Sequence, residues 1–302
     1  MKKILFVCSM MVMAVAAQAQ VKVAPKMQKG AKHTYVVETD TEIGGQVNTK
    51  VTTEIDYVVK DETAEGYVVE STLTKVETDD GDNIMNRIMN ISQELMKGIP
   101  SLISTDKDGK VTGVLNIDEM KSRTADYMDN FVDELYNNNP GMESMLPKER
   151  LMEQALSVVS EEQVVKSFSE TPTNPMCLNG KVITNAVQDT YNNAQDIPMT
   201  RIYFISKDGK SITTTSKSSM NEEEVKEFFL KQIEKEAPEQ LEMIKDNIDS
   251  MLAGGMLKIE SSEQTKYEMG DDGWPVSIDC SMKMNMMGSE INLKSVVKLK
   301  AE

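Results

Sequence analysis

The chain has 302 residues, with 33 Lys and Arg against 49 Asp and Glu, a formal net charge of −16. So acidic a surface repels phosphate backbones and anionic headgroups, which excludes nucleic acid as a partner and argues against an anionic membrane surface. One histidine, three cysteines, one Trp, eight Tyr and six Phe leave little material for multi-histidine metal sites, disulfide frameworks or sugar-stacking platforms.

Residues 1–19 read as a cleavable secretory leader. Lys2 and Lys3 form its positive start, Ile4 to Ala17 its apolar run, and Ala17-Gln18-Ala19 its small-x-small cleavage site. Cleavage is expected after Ala19, which makes the protein exported, periplasmic or extracellular, with Gln20 first. The apolar run is too short to span a bilayer and no second long one follows, so no transmembrane segment is expected. Cys8 lies too early in the run for a lipoprotein cysteine. Of the thiols, only Cys177 and Cys280 remain after cleavage. In an oxidising compartment they pair as a disulfide or stay as two buried small hydrophobes, and both readings are open.

Residues 20–302 read as a single α+β domain. From His33 to Ile43, His33, Tyr35, Val37 and Ile43 share one face, and Gly44-Gly45 gives a two-residue hairpin turn into Val47 to Val59, again alternating. A third strand, Gly66 to Thr78, completes a meander. Ile84, Ile88, Ile91 and Leu95 recur at helical spacing until Gly98 and Pro100 stop the pattern. A hairpin at Asp108-Gly109 precedes a helix that Asn116 and Glu119 open as a capping box, with Met120, Met128, Phe131 and Leu135 on its face. Shorter helices start near Pro147 and Ser160, and 171–179 is a loop. Lys207-Asp208-Gly209-Lys210 turns one strand, Arg201 to Ser206, into the next, Ser211 to Lys217. Asn221 caps a long helix with Val225, Phe229, Ile233, Leu241, Ile244, Ile248 and Leu252 as its stripe. Pro238 kinks or restarts it, and Gly254-Gly255 ends it.

The last fifty residues form a second meander. Leu257, Ile259, Thr265, Tyr267 and Met269 share a face, as do Ile278, Cys280, Met282, Met284 and Met286, and then Ile291, Leu293, Val297 and Leu299. Asp271-Asp272-Gly273 and Gly288 make the turns. The architecture predicted is α+β: long curved antiparallel meanders at both ends of the chain packed on amphipathic helices, half-barrel-like. The strand-turn-strand-helix order occurs twice, each time on a Lys-Asp-Gly-Lys turn. This admits a degenerate two-half repeat, about 20–170 and 171–302, although such turns also recur by chance.

Lys29-Gly30-x-x-His33-Thr34-Tyr35, the paired long strands after it, and Gly273-Trp274-Pro275-Val276-Ser277 resemble a family of secreted bacterial proteins of uncharacterised function. More distantly, the architecture is similar to periplasmic half-barrel carriers of lipoproteins and lipids, an analogy of fold that does not fix function. Trp274 is expected to fill the sheet edge and Pro275 to start a strand.

Catalytic signatures are missing: no Gly-x-Ser-x-Gly, no His-Glu-x-x-His, no P-loop and no dinucleotide fingerprint. His33 sits at a strand start beside Tyr35 and reads as a packing residue. Asp79-Asp80-Gly81-Asp82-Asn83 has oxygen ligands that suit calcium but lacks a bidentate Glu, so a turn leading into a helix explains it better. Met282, Met284 and Met286 have the softness for Cu(I), yet alternate with a core strand face. No metal and no cofactor are expected. Methionine abundance, 24 residues with the leader included, is the most unusual feature, and suits a face that adapts to apolar partners or a soft core. Two readings follow. One is a non-enzymatic envelope protein holding a lipid or other apolar ligand on a sheet face with Tyr267, Cys280, Met282, Met284 and Met286. The other is a structural or protein-interaction module, partnered with another envelope protein, whose sheet face is filled by its own helices.

Overall fold

A strand that alternates apolar and polar residues over a dozen positions can bury only one of its faces, so such strands line up with that face turned the same way. The computed structural model describes residues 20–45, 47–78, 96–138, 141–145, 147–193, 197–218, 220–236, 241–245, 247–254, 257, 259–286 and 289–301. Its first half runs β1 (Gln20–Lys22), β2 (Lys32–Ile43), β3 (Val47–Glu62), β4 (Gly66–Thr78), β5 (Ser101–Asp106), β6 (Val111–Val114), α1 (Ile117–Asn138), α2 (Met142–Met145), α3 (Lys148–Val158) and α4 (Glu161–Ser169). Its second half runs β7 (Val182–Thr184), β8 (Gln188–Asn192), β9 (Pro198–Ile205), β10 (Ser211–Ser218), α5 (Glu222–Glu236), α6 (Leu241–Lys245), α7 (Ile248–Ala253), β11 (Ile259–Met269), β12 (Pro275–Met286) and β13 (Ser289–Leu299).

Eleven strands form one antiparallel sheet in the order β6-β5-β4-β3-β2-β13-β12-β11-β10-β9-β8, open at both edges, while β1 and β7 pair as a separate ribbon. The fold is α+β, and its two meanders meet where β2 pairs with β13, from Ile43 opposite Ile291 to Tyr35 opposite Leu299. The alternation read from the sequence holds. Tyr35, Tyr57, Val59, Tyr267, Ile278 and Val297 all face inward and are at most 2% exposed.

Several local expectations change. Ile43 pairs with Val47, so three residues, not two, separate the strands at Gly44-Gly45, where both glycines take positive φ (59° and 67°). The Asn116 side chain does not close a capping box. Its Oδ1 accepts from Leu102 N at 2.9 Å and its Nδ2 donates to Pro100 O at 2.8 Å, tying the start of β5. The reciprocal box appears at α5, where Asn221 N donates to Glu224 Oε2 at 2.7 Å and Glu224 N donates to Asn221 Oδ1 at 3.0 Å. α4 starts beside Ser160 as expected, and Ser160 caps it, accepting from Gln163 N at 3.2 Å. Trp274 is not at a sheet edge, because β12 is an interior strand. The indole is 1% exposed in the main core, with the His33 ring stacked on it at 4.6 Å. The expected helix over Ile84 to Leu95, the Asp79–Asn83 turn, Pro238 and Gly288 lie outside the described residues.

The segment ahead of β2 acts as a strap across one end of the sheet. Val23 exchanges backbone hydrogen bonds with Gly180 and Lys181, Lys26 N donates to Asp272 O, and Gly30 N donates to Val59 O. Three turns lie under it: a Cβ on Gly109 would come within 2.9 Å of Met27, one on Gly273 within 2.9 Å of Pro25, and one on Gly209 within 3.6 Å of Val21. Both Lys-Asp-Gly-Lys hairpins, β5-β6 and β9-β10, therefore end under the same strap, and each is followed by a long helix.

Two apolar clusters occupy the inner face. The larger gathers Tyr35, Tyr57, Ile103, Met120, Phe168 and Trp274 beneath α4 and the strap. The smaller joins Ile197, Met199, Ile259 and Met284 to Val225 and Phe229 of α5 and Ile248 of α7. Methionine works chiefly as filler here: Met120, Met176 and Met199 are at most 1% exposed. Met284, 3% exposed, belongs to this packing. Replacing Met284 with Gln buries an amide without a partner and is expected to cost about 1–3 kcal/mol, seen as a lower melting temperature. An unchanged midpoint would contradict the packing.

Candidate functional site

Between the two apolar clusters the register lays polar residues in rows across the inner face. One row runs Leu293, Met282, Glu263, Ser216, Arg201 and Asp189, one residue from each of β13 to β8. The row beside it runs Ser295, Cys280, Thr265, Thr214 and Tyr203. The middle of this band is deeply buried, with Arg201 6% exposed, Glu263 7%, and Ser216 and Thr265 0%, while the Asp189 side chain at its end is 43% exposed.

Arg201 is fully engaged within the band. Its Nε and Nη2 donate to the two carboxylate oxygens of Asp189, each at 3.1 Å, and its guanidinium lies 4.2 Å from the Tyr191 ring centre and 5.0 Å from that of Tyr203. The Tyr203 hydroxyl donates to the same carboxylate at 3.0 Å. Burial works against the charge on Arg201, but the bonds to Asp189 outweigh it and hold the guanidinium protonated.

Glu263 has no such partner. It stands two strands from Arg201, roughly 9–10 Å at ordinary strand spacing, and the guanidinium is turned the other way, toward Asp189. Among the described residues no Lys or Arg forms an ion pair with Glu263, and its one hydrogen bond comes from the Thr265 hydroxyl at a long 3.4 Å. Burial pushes its carboxyl above the ordinary range, partly countered by the field of Arg201 and by the nearby hydroxyls of Thr265, Tyr191 and Ser216. Tyr191 is itself raised to about 12, by burial first and by Glu263 second.

Glu263 lines a cavity of about 330 Å³. Thr39, Cys280, Met282, Leu293 and Ser295 form its floor with Glu263, Tyr191 and Asn193 stand at one side, and Gln163, Lys166 and Ser167 of α4 with Glu170 and 171–173 close the other. Gln163 and Ser167 also line a second cavity, about 320 Å³, whose walls are mostly apolar, including Ile55, Tyr57, Leu73, Ile99, Met120 and Phe168. The two spaces thus adjoin beneath α4, one greasy and one with a polar wall. A larger groove of about 660 Å³ lies at the start of β2 and the end of β13, against the middle of β3, and two ion pairs occupy it, Lys32 with Asp56 at 2.8 Å and Lys300 with Glu54 at 2.9 Å.

The sequence-predicted face is therefore split. Cys280 and Met282 line the cavity, Met284 packs under α5, and Tyr267 is 2% exposed in the main core. Met286 pairs through its backbone with Ile259, and its side chain lies outside the described residues. Cys177 and Cys280 are buried free thiols with separate partners. Cys177 Sγ is 3.4 Å from the Tyr267 hydroxyl, and Cys280 Sγ is 3.4 Å from the Thr265 hydroxyl, whose single proton faces both it and Glu263. Burial raises both, Cys280 to about 12, so neither is a ready thiolate. Glu263, Arg201 and Tyr191 escaped the sequence reading, although Glu263 shares the inward phase of Ile259, Thr265 and Tyr267, and Arg201 that of Met199 and Tyr203. Among the described residues no three His, Cys, Asp or Glu side chains gather as a metal site, and no helix is long and apolar enough to cross a membrane.

No family model matches the chain, and no curated protein matches it. Among solved structures it is similar to one reported as "Lipid-protein interactions in lipovitellin", at 8% identity and a TM-score of 0.40. The similarity covers 91% of this chain and 25% of that one, so the chain spans a quarter of that protein. A likeness this loose says nothing of ligand or role.

The buried carboxyl predicts a pH signature. Its folded-state pKa lies above the ordinary 4.5, so the penalty for ionising it is absent below that value and grows as pH rises through the folded-state one. The melting temperature of Glu263→Gln, relative to the native protein, is expected to be higher near pH 8 than near pH 4. The same difference at both would contradict it.

Proposed function

We propose that the protein is an exported, non-enzymatic carrier or receptor that holds an apolar or amphiphilic small molecule between the inner sheet face and α4. The observation that carries this reading is the pair of adjoining cavities, each within the range of small-molecule sites, with an apolar space on one side of Gln163 and Ser167 and a polar-walled one on the other. The thiol that lines the cavity supports binding without chemistry, since Cys280 is held protonated at neutral pH and the lone histidine stacks on Trp274 instead. Export is supported by the leader pattern of residues 1–19.

Met282 and Met284 test the reading together. Met282→Gln places an amide at the cavity wall, where it is expected to weaken uptake of the apolar fluorophore N-phenyl-1-naphthylamine about tenfold while leaving the melting temperature nearly unchanged. A protein that never takes up the fluorophore would favour the interaction module with a filled interior, a reading that the tight packing of Met284 and Tyr267 supports for their parts of the face. Export is checked separately: N-terminal sequencing of protein from its own cell is expected to start at Gln20, and an intact leader on the accumulated protein would refute it.

A further inference from the structure

The polar wall of the cavity combines two acids and several hydroxyls with the amides of Gln163 and Asn193 and one lysine. Glu263, 7% exposed, brings a carboxylate without an ion-pair partner among the described residues, and Tyr191 brings a buried hydroxyl that lies near that carboxylate and Ser216. Thr39 and Ser295 hydroxyls, 2.6 Å apart, bond to each other on the floor. Glu170 adds a second acid to the lining, and Lys166, the one cation there, pairs with Glu162 at 3.0 Å. Two further cations stand near it: Arg201 has its fork on Asp189, and Lys181, which lies in the fields of Glu170 and Asp189, donates to Ser169 O at 3.3 Å. A buried carboxylate so placed costs stability unless a cation joins it, and among the described residues Glu263 feels only the field of Arg201, with no direct ion pair.

We propose that the cavity selects an amphiphile with an ammonium head, the ammonium resting on the Glu263 carboxylate and the alkyl part lying along Met282 and Leu293 toward Phe168. This deepens the binding reading above and rests on it. An ammonium has three N–H donors, which the two oxygens of Glu263 and the hydroxyl of Tyr191 can accept. A carboxylate head would meet a like charge at the same place, and an alcohol would offer one donor and no charge.

The test uses the chain from Gln20 to Glu302, with N-phenyl-1-naphthylamine as reporter. Decylammonium, decanol and decanoate compete in turn below their micelle concentrations, at physiological salt to screen the general attraction of the acidic surface. Decylammonium is expected to displace the reporter at a concentration about tenfold below decanol, with decanoate weakest. In Glu263→Gln the ammonium advantage over decanol is expected to vanish, and a cooperative melting transition shows that the variant is folded. Equal potency of the three heads, preference for decanoate, or an ammonium advantage that survives in Glu263→Gln would overturn the head-group assignment and leave apolar binding standing. No reporter uptake by the native chain would overturn both.

Discussion

The pairing of β2 with β13 is the interaction on which the rest of the molecule depends. Each half could form a sheet of its own, because neighbouring strands within it are consecutive in sequence. Only the contact between the first long strand and the last fuses them into one eleven-stranded surface with one inner face. The pairing brings Thr39 beside Ser295 and Thr41 beside Leu293, so the cavity floor spans the seam. Closing a loop that contains most of the chain costs little more entropy than closing a modest one, and the long register offsets that cost with many backbone hydrogen bonds. The strap reinforces the joint, since the backbone of residues 23–31 bonds to Gly180 and Lys181, to the Asp272 turn and to Val59 of β3.

Inside that frame, polarity is distributed unusually. A sheet face covered by helices is ordinarily apolar throughout, yet here the Arg201-Glu263 row and the Thr265-Cys280 row divide two apolar clusters. Arg201 is neutralised where it stands, held by two bonds and two rings. Glu263 is not, and buried polar groups left without partners are more readily explained by a ligand than by stability. The cavity opens where the band meets α4, so the helix that roofs the apolar space also borders the polar wall.

Much of this architecture is legible in the sequence because period-two alternation leaves so few choices. Once Tyr35, Tyr57, Tyr267 and Ile278 are assigned to one face, pairing within each meander follows, whereas the β2–β13 seam joins the first long strand to the last and no local pattern signals it. The short strands β1, β7 and β8 were not legible: three to five residues carry no measurable period, and β8 alternates Asp189 and Tyr191 with Gln188, Thr190 and Asn192 without an apolar stripe. Asn116 misled because its side chain meets a local need of the strand before it, a tertiary contact that outranks the capping pattern. The methionine run on β12 read as one face with one purpose, but a strand crosses several environments. Met282 meets the cavity and Met284 a helix, a difference set by where α5 lies and not by the strand itself.

The central claim is that the inner face holds a small amphiphile, and native mass spectrometry of protein purified from its own cell addresses it most directly. A carrier is expected to show the chain mass plus a discrete small-molecule mass that leaves on denaturation or solvent extraction. A single species at the bare chain mass, unchanged after incubation with decylammonium and decanol, would contradict it.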